Sequence, residues 1–173
     1  MARVPNIEEK DHPELAPLVA RIKAERGKVL DLYKVLLHSP AVMEGWLGFF
    51  TAIRHKTKLA GRYREFAILR VAILNGADYE YQAHLSFALK AGASAEQIAA
   101  LKAWQLSPLF DAAERAVLAY TDSMTKEIQV ADELFAEVRK HFDTQDLVEL
   151  TATIAGYNLV SRFLEAMQVH HQS

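Results

Sequence analysis

The chain of 173 residues contains no cysteine. Without a thiolate it cannot form a disulfide, a thiolate zinc site or an iron–sulfur cluster, and it cannot run a thiol-based redox cycle on its own residues. Its 20 basic and 22 acidic residues nearly cancel. That balance argues against a dedicated nucleic-acid-binding protein, which needs a basic surface to neutralise phosphates. The missing cysteines and the missing basic surplus thus exclude two broad classes of function.

Long hydrophobic runs are also missing. The longest apolar stretch near the middle, from Phe66 to Leu74, is short and contains Arg70, whereas a transmembrane helix needs about 20 apolar residues. The first residues, from Met1 to Arg21, carry charges throughout and do not look like a secretory signal. We therefore expect a soluble cytoplasmic protein without a membrane or nucleic-acid partner.

Glycine and proline are scarce, with 7 and 5 residues, and apolar residues recur at spacings of three and four along most of the chain. This pattern is typical of amphipathic helices and predicts an all-α fold, a bundle of about eight or nine helices. The length predicts a single domain over residues 1–173. The predicted helices cover residues 13–25, 29–38, 62–74, 79–91, 131–142 and 144–168, with further helices starting at 40, 94 and 111.

Several predicted helix ends carry local signals. Gly27 is expected to stop the first helix. Ser39 precedes a proline and is expected to cap the third helix, and Asp78 is expected to cap the fifth. Ser94 and Asp111 are each followed three residues later by a glutamine or a glutamate, which is the capping-box pattern.

A carboxylate and an imidazole share the apolar face of the predicted fifth helix. Glu80 and His84 are one turn apart, beside Phe87 and several alanines, whereas Tyr79 belongs to the polar residues on the opposite side. Because burying an unpaired charge is costly, these two side chains must pair with each other, with another polar group or with a ligand.

Glu65 is a second carboxylate in an unusual place, at the start of the apolar fourth helix. Arg62 and Arg64 flank it, and Arg70 follows on the same helix. If the fourth and fifth helices form an antiparallel hairpin, Glu65 reaches His84 only when the fifth helix extends back towards it, which the sequence leaves open. The alternative is a surface ion pair with a flanking arginine, worth under about 1 kcal/mol.

Glu80 and His84 also have interpretations without catalysis. They can be an i,i+4 pair that stabilises a helix at a subunit interface. Their spacing suits half of a metal site, but no second such pair occurs nearby, and we predict no metal. His170 and His171 at the end of the chain are expected to be solvated and not to form a site.

An ordered set of short motifs runs through the chain. It comprises Leu37-His38-Ser39-Pro40, Arg64-Glu65, Asn75-Gly76-Ala77, Tyr79-Glu80, His84, Gly92, Glu96-Gln97-Ile98, Val148-Glu149-Leu150 and Asn158. This set resembles the carboxymuconolactone decarboxylase family of the alkylhydroperoxidase D-like superfamily. The resemblance begins near Val29, is densest over residues 40–125, and implies a helical fold and a homo-oligomer, either a trimer or a hexamer.

The resemblance implies one of two chemistries. In the alkylhydroperoxidase D-like branch a glutamate, two cysteines and a histidine reduce peroxides. The glutamate matches Glu65, the histidine matches His84, and the two cysteine positions fall on Ala77 and Glu80. Because both sulfur atoms are missing, we expect no thiol peroxidase activity. The decarboxylase branch also lacks the cysteine pair and resembles this sequence better.

The decarboxylase branch implies loss of CO2 from γ-carboxymuconolactone to give 3-oxoadipate enol-lactone in aromatic catabolism. We expect His84 to carry the proton, Glu80 to orient it or pair with it, and Glu65 to be the second acid/base group. No organic cofactor is implied, because the lactone itself accepts the electron pair. The candidates for binding the substrate are Arg62, Arg64, Arg70 and Tyr79.

Burial among aromatic residues, with Trp46, Phe49 and Phe50 as candidates, would shift the proton affinity of the acid/base groups towards neutrality. Two other functions stay open at this stage. One is a family enzyme that acts on another small acid or a hydroperoxide-derived compound by the same Glu/His proton transfer. The other is a non-catalytic oligomeric scaffold or binding protein.

Overall fold

The computed structural model describes residues 2–169, so His170 and His171 lie outside the described residues. Within residues 2–169 there are nine α-helices, three short 3-10 helices and no strand, which confirms the predicted all-α fold. The chain divides into two compact units, one of which runs to Thr57 and resumes at Leu164, while the other covers Lys58–Phe163. The single domain over the whole chain stays a prediction.

The first unit contains three α-helices preceded by two 3-10 turns. Gly27 has a φ of 79°, a left-handed conformation that suits glycine, and it ends the first helix as predicted. The core of this unit includes Ile22, Met43 and Leu47, each with no measurable exposure. The helices are α1 (Ala16–Arg26), α2 (Asp31–Leu36) and α3 (Pro40–His55), after 3-10 turns at Glu9–Asp11 and Pro13–Leu15.

The second unit is built around α4. Eight consecutive residues of this helix, 65–72, are buried, as expected for a helix that packs on several sides. It contacts α5 and α7 along much of its length. The elements are α4 (Gly61–Asn75), α5 (Asp78–Lys90), α6 (Ala95–Ala100), a 3-10 helix (Leu101–Leu106), α7 (Ala112–Lys126), α8 (Asp132–Val138) and α9, which begins in this unit (Thr144–Met167).

An apolar cluster holds α4, α5, α7 and the 3-10 helix together. Phe66 and Leu69 of α4 meet Ala88, Trp104 and Leu118 in this cluster. Burying each large side chain stabilises the fold by about 1.5–3 kcal/mol. The cluster therefore fixes α4 and α5 next to each other, and those helices carry Glu65 and His84.

The helix caps agree with the sequence in part. Ser94 and Asp111 form the predicted capping boxes. Ser39 lies at the N-cap of α3, but its hydroxyl accepts no helix N–H, so its predicted capping bond is wrong. Asp78 is the first residue of α5, and Ala77 occupies the N-cap. The Asp78 side chain instead accepts a hydrogen bond from Gln82, one turn further on.

Within residues 2–169, no helix combines the length and the apolar character that crossing a membrane would require.

The helix predicted at 131–142 is shorter than expected and ends at Val138. The chain leaves the helical path there through consecutive turns that close at Lys140 and His141.

Candidate active site

A buried hydrogen bond between Glu65 and His84 forms the centre of the candidate site. The distance between Glu65 Oε2 and His84 Nδ1 is 2.8 Å, and only 4% and 7% of the two side chains are exposed. The bond joins α4 to α5, so α5 does extend back to the start of α4. The other oxygen, Glu65 Oε1, accepts a hydrogen bond from Arg64 Nε at 3.3 Å.

The surroundings of Glu65 favour its ionised form. Burial on its own raises the pKa of Glu65, but the hydrogen bond and charge of His84, together with Arg64, outweigh burial and hold this pKa below its usual value. An ionised Glu65 accepts the Nδ1–H of His84. This bond orients the imidazole ring and fixes its tautomer.

Two aromatic rings restrain His84. The ring of Tyr157, on α9, meets the imidazole edge-on with centroids 5.0 Å apart and planes at 90°. Phe87, on α5, lies at 5.7 Å and is tilted by 48°. Tyr157 is 3% exposed, whereas Phe87 is 40% exposed. The imidazole is therefore held between a buried ring and a ring that reaches the surface of the chain.

Glu80 lies one turn before His84 on α5, but it does not pair with it. Its Oε2 accepts from the Ser161 hydroxyl at 3.1 Å, and its Oε1 is buried without a hydrogen-bond partner among the described residues. Burial raises the pKa of Glu80 well above its usual value, and the Ser161 bond opposes this only in part. The partner of His84 that we predicted at Glu80 is Glu65 instead.

Ser161 was not predicted as a site residue from the sequence. Tyr157 and Ser161 are one turn apart on α9 and contact His84 and Glu80 respectively, which are one turn apart on α5. The residue numbers run in opposite directions along these two contacts, so α9 lies antiparallel to α5 here. Ser161 stands 81 positions from Glu80, and no local pattern signals that contact.

Arg62 and Arg70 are bound to the protein framework. Arg62 donates to Glu114, to the Gln97 side chain and to the carbonyl of Gly92. These contacts join the start of α4 to the caps of α6 and α7. Each of its three guanidinium nitrogens therefore already has a protein acceptor, so few N–H donors remain for the substrate carboxylate that we expected Arg62 to bind.

Arg70 is buried and forms two hydrogen bonds to Asp122, of 2.5 and 2.8 Å. Its remaining terminal nitrogen donates to the carbonyl of Leu101 at 2.9 Å. Its guanidinium thus ties α4 to α7 and to the 3-10 helix. Of the three predicted arginines, Arg64 is the one that the structure places beside the Glu65–His84 pair.

Tyr79, which we expected on the polar side of α5, is buried with 6% exposure. The three aromatic residues expected around the acid/base groups belong to the first unit, where the rings of Trp46 and Phe50 are 5.0 Å apart. Their part in the site stays a prediction. Across residues 2–169, no group of three histidine, aspartate or glutamate side chains is arranged to hold a metal ion.

Known proteins place this arrangement in context. The model of the Carboxymuconolactone decarboxylase family matches residues 40–123. The uncharacterized protein YdfG of Bacillus subtilis (strain 168) is 32% identical over 106 residues, which are 60% of this chain and 72% of that protein.

Two solved structures share the fold. The alkylhydroperoxidase AhpD core of an uncharacterized peroxidase-related protein from Ralstonia eutropha JMP134 has a TM-score of 0.84 at 18% identity, covering 99% of this chain and 93% of that one. The apo debrominase Bmp8 has a TM-score of 0.80 at 20% identity, covering 99% and 92%. The family match and the relative show that this chain belongs to the carboxymuconolactone decarboxylase family.

Proposed function

We propose that this protein is an enzyme that transfers a proton on a small lactone or carboxylic acid, with His84 as the proton carrier and Glu65 as its partner. The observation that carries the proposal is the buried 2.8 Å hydrogen bond between these two side chains. A histidine held by a buried carboxylate is a typical general acid/base, because the carboxylate orients the ring and stabilises its protonated form.

Arg64 is the candidate for binding a carboxylate of the substrate. Its Nε bonds to Glu65, and no other hydrogen bond of its guanidinium is seen among the described residues. Its two terminal nitrogens can therefore form the paired hydrogen bonds that carboxylates accept. The Arg64 side chain is 18% exposed, so a ligand reaches it more easily than it reaches Arg70.

We take γ-carboxymuconolactone as the first substrate to test. The bond between the ring carbon and its carboxylate breaks, CO2 leaves, and the electron pair moves through the ring alkene to the carbonyl oxygen of the lactone. The resulting dienolate takes a proton from His84 at the carbon beside the lactone carbonyl and becomes 3-oxoadipate enol-lactone, and His84 regains a proton from solvent. The missing cysteines support this chemistry over thiol-based peroxide reduction, since Ala77 and Glu80 occupy the two cysteine positions of the peroxidase pattern.

The test is the rate of γ-carboxymuconolactone loss, followed by absorbance at high enzyme concentration. His84→Ala and Glu65→Gln should each lower kcat by about 10²–10⁴-fold. The matched control is His141→Ala, because His141 also lies beside a glutamate, Glu137, in a partly exposed pair at 3.7 Å. It should leave the rate unchanged.

Three outcomes separate the alternatives. No turnover by the unmodified protein would reject this substrate, and a screen of other small acids would then test the same proton transfer. Turnover that survives in both site variants would reject the roles of His84 and Glu65. If both variants unfold and no small acid is turned over, the non-catalytic scaffold is the better account.

The proposal includes a homo-oligomer, either a trimer or a hexamer. Val148 and Leu159 of α9 support it, because 63% and 51% of these apolar residues are exposed in the single chain, and self-association would cover such residues. Light scattering coupled to size exclusion measures the number of subunits. A monomer across the micromolar range would contradict this part of the proposal.

A further inference from the structure

Four carboxyl side chains are buried among the described residues, and Glu80 differs from the other three. Each of the others contacts an arginine: Glu65 contacts Arg64, Glu114 contacts Arg62, and Asp122 contacts Arg70. Glu80 is 2% exposed, and its one hydrogen bond comes from a neutral hydroxyl. A carboxylate there would be a buried charge without a counter-ion, which proteins avoid.

The hydrogen bonds of Ser161 also favour a neutral Glu80. The Ser161 Oγ lies 3.1 Å from Glu80 Oε2 and 3.0 Å from the carbonyl oxygen of Tyr157. A hydroxyl has one hydrogen to donate, so it cannot donate to both oxygens. If Glu80 is protonated, its own hydrogen can satisfy one of these contacts. Burial, which raises the pKa of Glu80, acts in the same direction.

A neutral Glu80 has two arrangements of its hydrogen. In one, Glu80 Oε2–H donates to Ser161, Ser161 donates to Tyr157, and Oε1 is an acceptor. In the other, Ser161 donates to Oε2, and the acid hydrogen lies on Oε1. The first arrangement satisfies both contacts of Ser161, and the second is the one in which Glu80 can donate from Oε1 to a ligand. In both arrangements Oε1 remains buried without a partner in the described part of the chain, and such atoms in folded proteins are usually satisfied by water or a ligand.

The position of Glu80 indicates what that ligand is. It stands one turn from His84 on α5, and the Tyr157–Ser161 turn of α9 contacts both residues. We infer that Glu80 is a second catalytic residue, which stays a neutral carboxylic acid and donates a hydrogen bond from Oε1 to the lactone or carboxyl oxygen of the bound substrate. This inference rests on the proposed function, because it assigns a substrate to the Glu65–His84 site.

The chemistry gives such a donor a purpose. When CO2 leaves, negative charge develops on the lactone oxygen, and a buried neutral donor stabilises that charge. An ionised carboxylate at the same place would repel it. The pKa of Glu65 is lowered, which favours the ionised partner of His84, whereas the pKa of Glu80 is raised, which favours the neutral donor. Two carboxyl groups whose pKa values move apart in this way often take the acid and base roles in enzymes.

The test uses the full chain and muconolactone, an unsaturated γ-lactone that keeps the acetate side chain but lacks the carboxyl group on the ring that is lost as CO2. Infrared difference spectra at neutral pH should show the carbonyl stretch of one protonated carboxyl group, which is absent from Glu80→Gln. Ser161→Ala should move this band, since it removes the partner of Oε2. Muconolactone should move it in the unmodified protein.

Binding of muconolactone gives the second readout. Glu80→Gln keeps a neutral donor and should bind within about threefold of the unmodified protein, whereas Glu80→Met should bind about tenfold more weakly. An unmodified protein without the band would overturn the inference. The inference would also be overturned if the band does not move when muconolactone binds, or if Glu80→Met binds muconolactone as tightly as the unmodified protein. Failure of the unmodified protein to bind muconolactone would overturn it as well. If muconolactone binds and moves the band but γ-carboxymuconolactone is not turned over, the inference stands and the proposed decarboxylation fails.

Discussion

Replacing Glu80 with glutamine should make the protein more stable at neutral pH, even though it changes a buried polar residue. Glutamine has nearly the same shape, and it can keep a contact with Ser161. The advantage of the variant arises from the proton that Glu80 must keep in the folded protein. Burial raises the pKa of Glu80 in the folded state well above the ordinary value of 4.5 that applies to the unfolded chain.

The sign and the size of the effect follow from proton linkage. Above the unfolded pKa, the unfolded chain releases this proton while the folded protein retains it. Rising pH therefore favours unfolding of the unmodified protein, until the folded pKa is reached. Over that window a single group changes the free energy of unfolding by about 1.4 kcal/mol per pH unit. Glu80→Gln has no such proton, so its advantage grows with pH at this slope.

Urea denaturation of both proteins between about pH 4 and about pH 8 measures this difference. Glu114→Gln is the matched control, because Glu114 is equally buried but bonds to Arg62. Its capping box tolerates glutamine, and the loss of the charge should destabilise the protein by about 1.5–3 kcal/mol at neutral pH. If the difference between Glu80→Gln and the unmodified protein is the same at every pH, Glu80 is not a retained acid and our reasoning is wrong.

Three further predictions concern the framework and the excluded chemistry. Arg70→Met should lower the free energy of unfolding by about 3–5 kcal/mol, because it leaves the buried carboxylate of Asp122 without its guanidinium; equal urea midpoints would contradict this. Ser94→Ala should cost about 1 kcal/mol, since it removes the capping bond to Gln97; in thermal unfolding, Ser94→Asp, which keeps a capping oxygen, should recover the loss. Consumption of cumene hydroperoxide with a dithiol reductant should stay at background, and a rate that scales with protein concentration would refute the exclusion of thiol peroxidase chemistry.

Local signals predicted the helices better than their contacts. Gly27, Ser94 and Asp111 act where the sequence placed them, because a positive φ or a capping box is specified within a few residues. Asp78 misled us, since an aspartate next to a helix start can lie at the cap or in the first turn. Gly76, with a φ of 66°, ends α4, and α5 begins two residues later at Asp78.

The site residues were identified more readily than their partners. Glu65, Glu80 and His84 are conspicuous because polar groups on apolar helix faces need partners. Which group meets which depends on the register between helices that are distant in sequence. The pairing of Glu65 with His84 spans 19 residues, and that of Glu80 with Ser161 spans 81. Helix periodicity contains no signal for either register.

The arginines show the same limit. Arg62 and Arg70 stand near the candidate site in sequence, and a substrate-binding role was a natural expectation. Their acceptors come from α6, α7, the 3-10 helix and the loop before α6, which the sequence could not place against α4. Arg64 contacts Glu65, its direct neighbour in the chain.

The central claim is that His84, held by Glu65, delivers the proton to the product carbon. Running the γ-carboxymuconolactone reaction in D2O and determining the configuration of the deuterium beside the lactone carbonyl tests it most directly. Delivery from a fixed imidazole should place deuterium on one face of the product. His84→Ala and Glu65→Gln should slow the reaction, and the residual product of His84→Ala should carry deuterium on both faces. Deuterium on both faces with the unmodified protein, or unchanged selectivity in His84→Ala, would contradict the account.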